Sequence, residues 1–306
     1  MKNQQLRLQE YSESKIVEVV NFDFPEFVIL SVRPVEVGLD NFVAEINNEY
    51  IFRFPRSGKE AQIPLEVEIE ILQHLADQVS FEIPSPLYVG IQYEYAGYRK
   101  IVGKTLDREL FTQLSLDQKH KLAFDIATFT HELHVAISET QATTLGIQGA
   151  DFSHYLVGAE GKLRINLAQT DLWSYCIDVL EQYSQIREQR QDQTFIHWDL
   201  HHNNVIMDPV TKKLVGFIDF SDCAVGDYHL DLYAMYRLDL DFMEMVASAY
   251  AQISNFSVSS ERLLLYAAIN EVAYLVELAN SPLSNRYLLG LKRLTELQKR
   301  KVAVLK

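Results

Sequence analysis

Residues 195–231, FIHWDLHHNNVIMDPVTKKLVGFIDFSDCAVGDYHLD, constrain this chain more than any other stretch. Three short apolar runs lie in it: Phe195-Ile196, Val205-Ile206-Met207 and Leu214-Val215-Gly216-Phe217-Ile218. None is long enough for a helix. Asp208-Pro209 and Lys212-Lys213 separate the last two as turn material, so the pair reads as a β-hairpin. Polar residues stand at the ends of these runs and in the loop before the hairpin: His197, Asp199, Asn204 and Asp219.

That set has a chemical use. Moving a phosphoryl group onto a hydroxyl needs a carboxylate to orient and deprotonate the acceptor, and oxygen ligands to hold Mg²⁺ on the phosphates. The spacing H-x-D-x₄-N supplies the carboxylate as Asp199 and a neutral oxygen ligand as Asn204. The end of the next strand supplies a second carboxylate, Asp219, as the main metal ligand. The order matches the catalytic loop and metal loop of kinases. Each residue alone is a common loop former; the joint spacing carries the reading.

The 306 residues can form one large domain or two lobes, and a hydrophobic content of 48% is ample for a core. A net charge of −14 argues against nucleic acid or an anionic membrane as the main partner and is compatible with a cationic small molecule. Two cysteines far apart, Cys176 and Cys223, suggest a reducing compartment without a disulfide framework. The opening MKNQQLRLQEYSES lacks the apolar core of a signal peptide. The most apolar long run, residues 263–279, is interrupted by Asn270, Glu271 and Glu277, too polar and too short for a bilayer. A cytoplasmic monomer is expected.

Read in order, strands are expected over 27–32, 41–46, 50–55, 87–91 and 98–102, with Asn47-Asn48-Glu49 as a hairpin turn. Helices are expected over 12–20, 63–76, 117–135 with Ser115 as N-cap, 168–189, 228–236, 242–252, 259–278 and 285–301. The fold class is therefore α+β, a bilobal kinase-like plan. Residues 1–102 make an N-terminal five-stranded antiparallel lobe with one inserted helix. Residues 103–306 make a mainly helical lobe carrying the catalytic hairpin. A nucleotide belongs in the cleft between them.

This plan assigns further residues. Arg53 stands on the strand after the asparagine turn, where kinases carry a phosphate-binding lysine, and Glu68 on the next helix is its partner. Arginine keeps a permanent charge but presents a planar fork. Gly38-Leu39-Asp40-Asn41 lies where a phosphate-covering loop belongs, which makes Gly38 and Asn41 candidates by position, although one glycine is far from G-x-G-x-x-G. His131 and His134 are three apart, not the four of a zinc-binding H-E-x-x-H, and read as helix packing. Of Asp222, Asp227 and Asp231, one is expected to anchor the catalytic loop by accepting backbone hydrogen bonds. Asp231, just inside an apolar helix, suits solvent least.

The segments IHWDLHHNNVIMD, GFIDFSDCAVGDYHLDL, YIFRFPR, LEVEIEIL, IPSPLYVG and AGYRKIVGKTL together resemble the aminoglycoside phosphotransferase family of the kinase-like superfamily, which includes choline and macrolide kinases. YIFRFP and AGYRKIVGKTL look most like the aminoglycoside 2″-phosphotransferases. The resemblance runs over residues 38–236 and fades beyond Tyr236. It implies Asp199 as catalytic base, Asn204 and Asp219 on Mg²⁺, and Arg53 on the nucleotide phosphates with Glu68 behind it. It implies a hinge of Tyr98, Arg99, Lys100 and Ile101 whose backbone meets the base. Tyr98, a bulky residue at the back of the cleft, implies that GTP serves at least as well as ATP. Trp198 departs from the small residue common after the catalytic-loop histidine.

The implied acceptor is a hydroxyl of a small cationic molecule, an aminoglycoside first. Its site should be lined by carboxylates, and Glu271, Asp239, Asp241 and Glu277 are the candidates. Glu271 leads because it interrupts an apolar run. A kinase of another small alcohol (a macrolide, choline or a metabolic sugar) is the alternative. A non-catalytic nucleotide-binding module is a further one, against which the intact Asp199, Asn204 and Asp219 speak. A protein kinase is disfavoured because no Ala-Pro-Glu segment follows Asp219.

Overall fold

A computed structural model describes residues 5–35, 41–56, 62–188 and 193–304. The first helix, α1 (Glu13–Asp23), is capped by the Ser12 hydroxyl, which accepts from the Lys15 N–H. Strands β1 (Val32–Val35), β2 (Asn41–Ile46) and β3 (Tyr50–Pro55) follow. Asn47 and Asn48 join the last two, each with φ of 57°. A tight hairpin turn of this hand needs positive φ at both central residues, and asparagine tolerates it.

Residues 27–31, expected as strand, stay outside the sheet. The Asn47 side chain takes up their backbone instead. It accepts from Leu30 and Ser31 N–H at 2.7 and 3.2 Å and donates to Val28 O at 2.8 Å. Strand propensity in an apolar run gave way to a turn residue that supplied the same hydrogen bonds.

Helix α2 (Leu65–Leu75) precedes β4 (Pro86–Val89) and β5 (Ala96–Arg99). The five strands form an antiparallel sheet in the order β1-β2-β3-β5-β4. Gly97 is demanded by close approach, since a Cβ there would stand 2.6 Å from the Phe52 ring. The fifth strand lies earlier than the expected 98–102. It ends where the chain turns off at Lys100, whose N–H reaches Glu49 O at 2.8 Å.

The helical part begins after β6 (Lys104–Thr105) and contains α3 (Arg108–Thr112), α4 (Leu116–Ala136), α5 (Glu139–Thr144), α6 (Ala159–Leu167) and α7 (Asp171–Ile186). Ser115 and Gln118 form a capping box on α4. The helix expected over 168–189 starts only at Asp171, because the Thr170 hydroxyl turns back to Leu167 O at 2.9 Å. Helices α3 and α5 were not expected. They are too short for a periodic signal and rest on their caps, Asp107 and Ser138.

The central stretch comprises β7 (Gln193–Ile196), a 3₁₀ turn (His202–Asn204), β8 (Val205–Met207), β9 (Leu214–Phe217) and β10 (Ala224–Asp227). β8 and β9 make the expected hairpin, which β6 extends to three strands. β7 pairs instead with β10, so two small sheets hold the loop from either side. The helix expected over 228–236 is α8 (His229–Leu232) running into a 3₁₀ turn (Tyr233–Arg237). Helices α9 (Leu240–Ser254), α10 (Ser260–Glu277) and α11 (Asn285–Val304) complete the fold.

Two main apolar clusters result. The smaller gathers Ile16, Val20, Phe52, Phe54 and Tyr95 under the sheet. The larger unites α4, α7, α9 and α10, and takes in Ile71, Leu72 and Leu75 of α2. Helix α2 is thus packed into the helical core while its Glu68 reaches Arg53 on β3. Cys176 and Cys223 are buried and free. Among the described residues, no helix is long and apolar enough to cross a membrane.

Candidate active site

The loop between β7 and β8 is held from below by Asp231, which is 1% exposed. Its carboxylate accepts from the His197 N–H at 2.9 Å and the Trp198 N–H at 2.8 Å. The same group meets His134 Nε2 at 2.9 Å, and His134 Nδ1 meets the Tyr250 hydroxyl. A buried carboxylate so supplied with donors fixes two successive peptide planes. It holds Trp198 at φ 61°, a left-handed conformation that bulky residues avoid. The next residue is Asp199, whose side chain is 35% exposed.

Asn204 Nδ2 donates to Asp199 O at 2.8 Å and to Asp199 Oδ2 at 2.9 Å. One amide therefore sets the Asp199 carboxylate and leaves its own oxygen free of that contact. His197 ties this loop to the hairpin, its Nε2 lying 3.2 Å from Ile218 O, beside Asp219.

Arg53 is buried and forks between two carboxylates, Glu68 Oε1 at 2.5 Å and Asp219 Oδ1 at 3.0 Å. Ser221 adds a hydroxyl to the same Asp219 oxygen at 3.1 Å. Burial pushes the Glu68 carboxyl up, and Arg53 opposes the shift. Tyr98 pairs in register with Ile51, two residues from Arg53 on the same strand, so both lie on one face of the sheet. Burial raises the Tyr98 hydroxyl to about 12. Arg99 is exposed against Glu49, Lys100 reaches Glu45, and Ile101 is buried. The Lys100 N–H is committed to Glu49 O, so that amide is not one that meets a base. Asn41 opens β2 opposite Pro55. Gly38 lies outside the described residues.

Mg²⁺ takes hard oxygens and commonly needs only one or two carboxylates beside phosphate oxygens. Asp219 stays 42% exposed despite its arginine, and Asn204 offers an amide oxygen, so the donor set fits the ion. Among the described residues, no three of His, Cys, Asp and Glu gather into a metal cage. His131 and His134 pack within the helical core rather than forming one.

Residues 31–263 match the sequence model of the phosphotransferase enzyme family. The chain belongs to that family. An aminoglycoside 3'-phosphotransferase from Streptomyces fradiae is 29% identical over 120 residues, which cover 37% of this chain and 45% of that relative. This chain thus spans less than half the length of that curated relative. The GDP and kanamycin complex of APH(2″)-IIIa superposes with a TM-score of 0.78 at 24% identity, over 94% of this chain and 99% of that one. The streptomycin–ATP–APH(2″)-IIa ternary complex gives 0.66 at 22% identity, over 95% and 97%. A macrolide 2'-phosphotransferase type I gives 0.61 at 15%, over 94% and 99%. At these identities the structural likeness shows the kinase-like fold. The family match encloses Arg53, Glu68, Asp199, Asn204 and Asp219 and stops before Glu271.

The acceptor side differs from the sequence-based expectation. Glu271 is 1% exposed, and its Oε1 accepts from the Tyr236 hydroxyl at 2.5 Å and from Arg293 at 3.4 Å, while its Oε2 has no partner among the described residues. Asp239 caps α9, accepting from the Phe242 N–H. Asp241 is 72% exposed and pairs with Arg300. Glu277 is exposed at the end of α10. These carboxylates serve local structure or face solvent rather than forming a wall. Sequence reasoning also passed over polar residues near the loop that carries Asp199. Arg237 is half-buried at the end of its 3₁₀ turn, and Arg108 donates to its carbonyl at 3.0 Å. His202 is pushed down to about 4 by burial and by the charges of His201, Arg237, Arg293 and Arg108. No local pattern could have found this group, because its members come from four separate elements.

Proposed function

We propose that this protein transfers the γ-phosphoryl group of ATP or GTP to a hydroxyl of a small molecule, with Mg²⁺ required. The supporting observation is the joint placement of two carboxylates. Asp199 is set by the Asn204 amide, and Asp219 is set by the buried Arg53–Glu68 pair. On this reading the acceptor hydroxyl meets Asp199, which takes its proton as the oxygen attacks phosphorus. Arg53 exchanges part of its hold on Asp219 for phosphate oxygens. Asn204 and Asp219 would hold the Mg²⁺, whose charge offsets that of the transferring group.

Residues 1–102 form the nucleotide lobe in this scheme, and residues 103–306 the catalytic and acceptor lobe. Tyr98 on the cleft face narrows the space for a base and supports GTP as a donor at least equal to ATP. The relatives support an amino-sugar acceptor first and a macrolide second, since kanamycin, streptomycin and macrolides are named for them. A cytoplasmic monomer acting on a free small molecule completes the proposal.

The test is phosphorylated product from an acceptor panel with ATP and with GTP, with and without Mg²⁺. Product should vanish with EDTA and in the Asp219→Ala variant. Turnover that survives both refutes the assignment.

A further inference from the structure

We infer that His134 and Tyr250 are positioning residues for the reaction: through Asp231 they hold the backbone that carries Asp199. This rests on the kinase reading and adds two side chains to it. Both are enclosed by protein, the His134 side chain 0% exposed and Tyr250 0% exposed.

The connection runs through three elements. His134 stands near the end of α4, Tyr250 in α9 and Asp231 in α8. Asp231 Oδ1 accepts from the Trp198 N–H at 2.8 Å. Its Oδ2 accepts from the His197 N–H at 2.9 Å and lies 2.9 Å from His134 Nε2. A carboxylate only accepts, so the proton between these two side chains belongs to Nε2. The other ring nitrogen, Nδ1, is 2.8 Å from the Tyr250 hydroxyl. Burial pushes that hydroxyl up, with the Asp231 charge adding to the shift, so it keeps its proton. The Tyr250 ring stacks on Tyr228 with centroids 5.7 Å apart, and the Tyr228 carbonyl accepts from the Asp231 N–H at 3.2 Å. The contacts thus close on themselves. His134 also reaches the approach to the loop through its main chain, where the Thr194 hydroxyl on β7 donates to His134 O at 2.5 Å.

The His197 and Trp198 N–H groups belong to the loop itself, so they cannot by themselves fix where the carboxylate stands. The two side-chain torsions of Asp231 leave it room to swing. The third donor comes from α4, outside the loop, and fixes it. The position matters because Trp198 sits at φ 61°, a conformation that a bulky residue leaves when nothing holds it there. A rotation at Trp198 swings the next residue, Asp199, away from the Asn204 amide that meets it at 2.9 Å. Helix packing alone does not account for the arrangement. α4 and α9 would pack as well through apolar side chains, without the cost of burying an imidazole and a carboxylate together. Both nitrogens of the His134 ring are engaged, one on the carboxylate that holds the loop and one on the hydroxyl behind it. Acting only through the placement of Asp199, the two residues bear on kcat and leave KM alone.

The experiment follows the wild type, His134→Leu, His134→Gln and Tyr250→Phe by two readouts. Kinetics use Mg²⁺ and both nucleotides, with kanamycin as one acceptor and water as the other. His134→Leu loses both bonds and should lower kcat at least ten-fold, with KM values within two-fold of the wild type. His134→Gln keeps an N–H within reach of Asp231 and should bring kcat back to within three-fold. Tyr250→Phe deletes one hydroxyl and should lower kcat two- to five-fold, which carries the test if His134→Leu does not fold. Hydrogen exchange is the second readout, resolved by NMR at the His197 and Trp198 amides. It should be at least ten-fold faster in His134→Leu, or two-fold or more in Tyr250→Phe, and unchanged in β2 and β3. A kcat that stays at the wild-type value, a loss that His134→Gln does not restore, KM shifts in place of kcat, or unchanged exchange at both amides overturns the inference and leaves the kinase reading intact. A wild type that transfers phosphate neither to kanamycin nor to water would instead sink the kinase reading, and exchange at the two amides then decides by itself whether His134 holds the loop.

Discussion

Glu68 and Glu271 are the same residue at nearly the same depth, 3% and 1% exposed, and under the proposed function they belong to the donor and the acceptor side. Burial pushes both carboxyls up, and both lie beside arginine. Their surroundings diverge from there. Glu68 takes a short contact from Arg53, which closes on Asp219, so the donor side is a finished circuit of charges. Glu271 has one tyrosine hydroxyl and one distant arginine nitrogen, and its Oε2 has no partner among the described residues. Under the proposed function, a closed buried pair preorganises the side that meets the nucleotide phosphates. An open one holds its surroundings more loosely.

The largest effect expected belongs to the residue between the two sides. Asp199→Asn keeps the shape that Asn204 recognises but removes the base, so kcat should fall about 10²–10⁴-fold with the melting temperature and nucleotide affinity retained. Near-normal turnover would remove Asp199 from the chemistry and leave the two sides with nothing to meet over.

Truncating the two glutamates sharpens the contrast. Glu68→Ala strands a buried guanidinium and should cost about 3–5 kcal/mol of stability in urea unfolding. Glu271→Ala removes a weaker set of contacts and should cost about 1–3 kcal/mol. Equal losses would mean that the acceptor side is as closed as the donor side.

The pH dependence is a finer probe. Because burial raises the Glu271 carboxyl above its ordinary 4.5, the folded chain binds that proton more tightly than the unfolded chain. Its contribution to stability is most favourable at and below pH 4.5 and is lost as pH climbs through the raised folded value. In Glu271→Gln, stability followed upward from pH 4.5 should decline less than in the wild type. A steeper decline in the variant would contradict the burial argument.

The smallest effect is expected at the surface. Asp241→Asn breaks an exposed pair with Arg300 and should change stability by no more than about 0.5 kcal/mol and leave the acceptor KM unchanged. A several-fold rise in KM for a cationic acceptor would bring Asp241 back as part of a carboxylate wall.

Much of the donor side was legible in the linear pattern. The Asn47-Asn48 turn put Arg53 on its strand, the α2 periodicity put Glu68 on a helix, and H-x-D-x₄-N with the following hairpin put Asp199, Asn204 and Asp219 in order. The misses had local causes. Residues 27–31 lost their expected pairing to one asparagine side chain, and the helices resting on caps offered no period to read. The burial of Glu271 was missed for a different reason. A carboxylate inside an apolar run reads as a break toward solvent, whereas Tyr236 and Arg293, distant in sequence, made burial tolerable.

By itself the sequence determined the kinase-like fold class and the order in which Arg53, Glu68, Asp199, Asn204 and Asp219 come together. Those features depend on spacing within a loop, a hairpin and a turn, where a few residues leave the backbone almost no freedom. Only the tertiary structure decided the surroundings of Glu271. Tyr236, Glu271 and Arg293 carry no mutual pattern along the chain. They meet because α10 packs against α11 and against the 3₁₀ turn that carries Tyr236. Electrostatics sums over distance in space, and separation along the chain does not enter it.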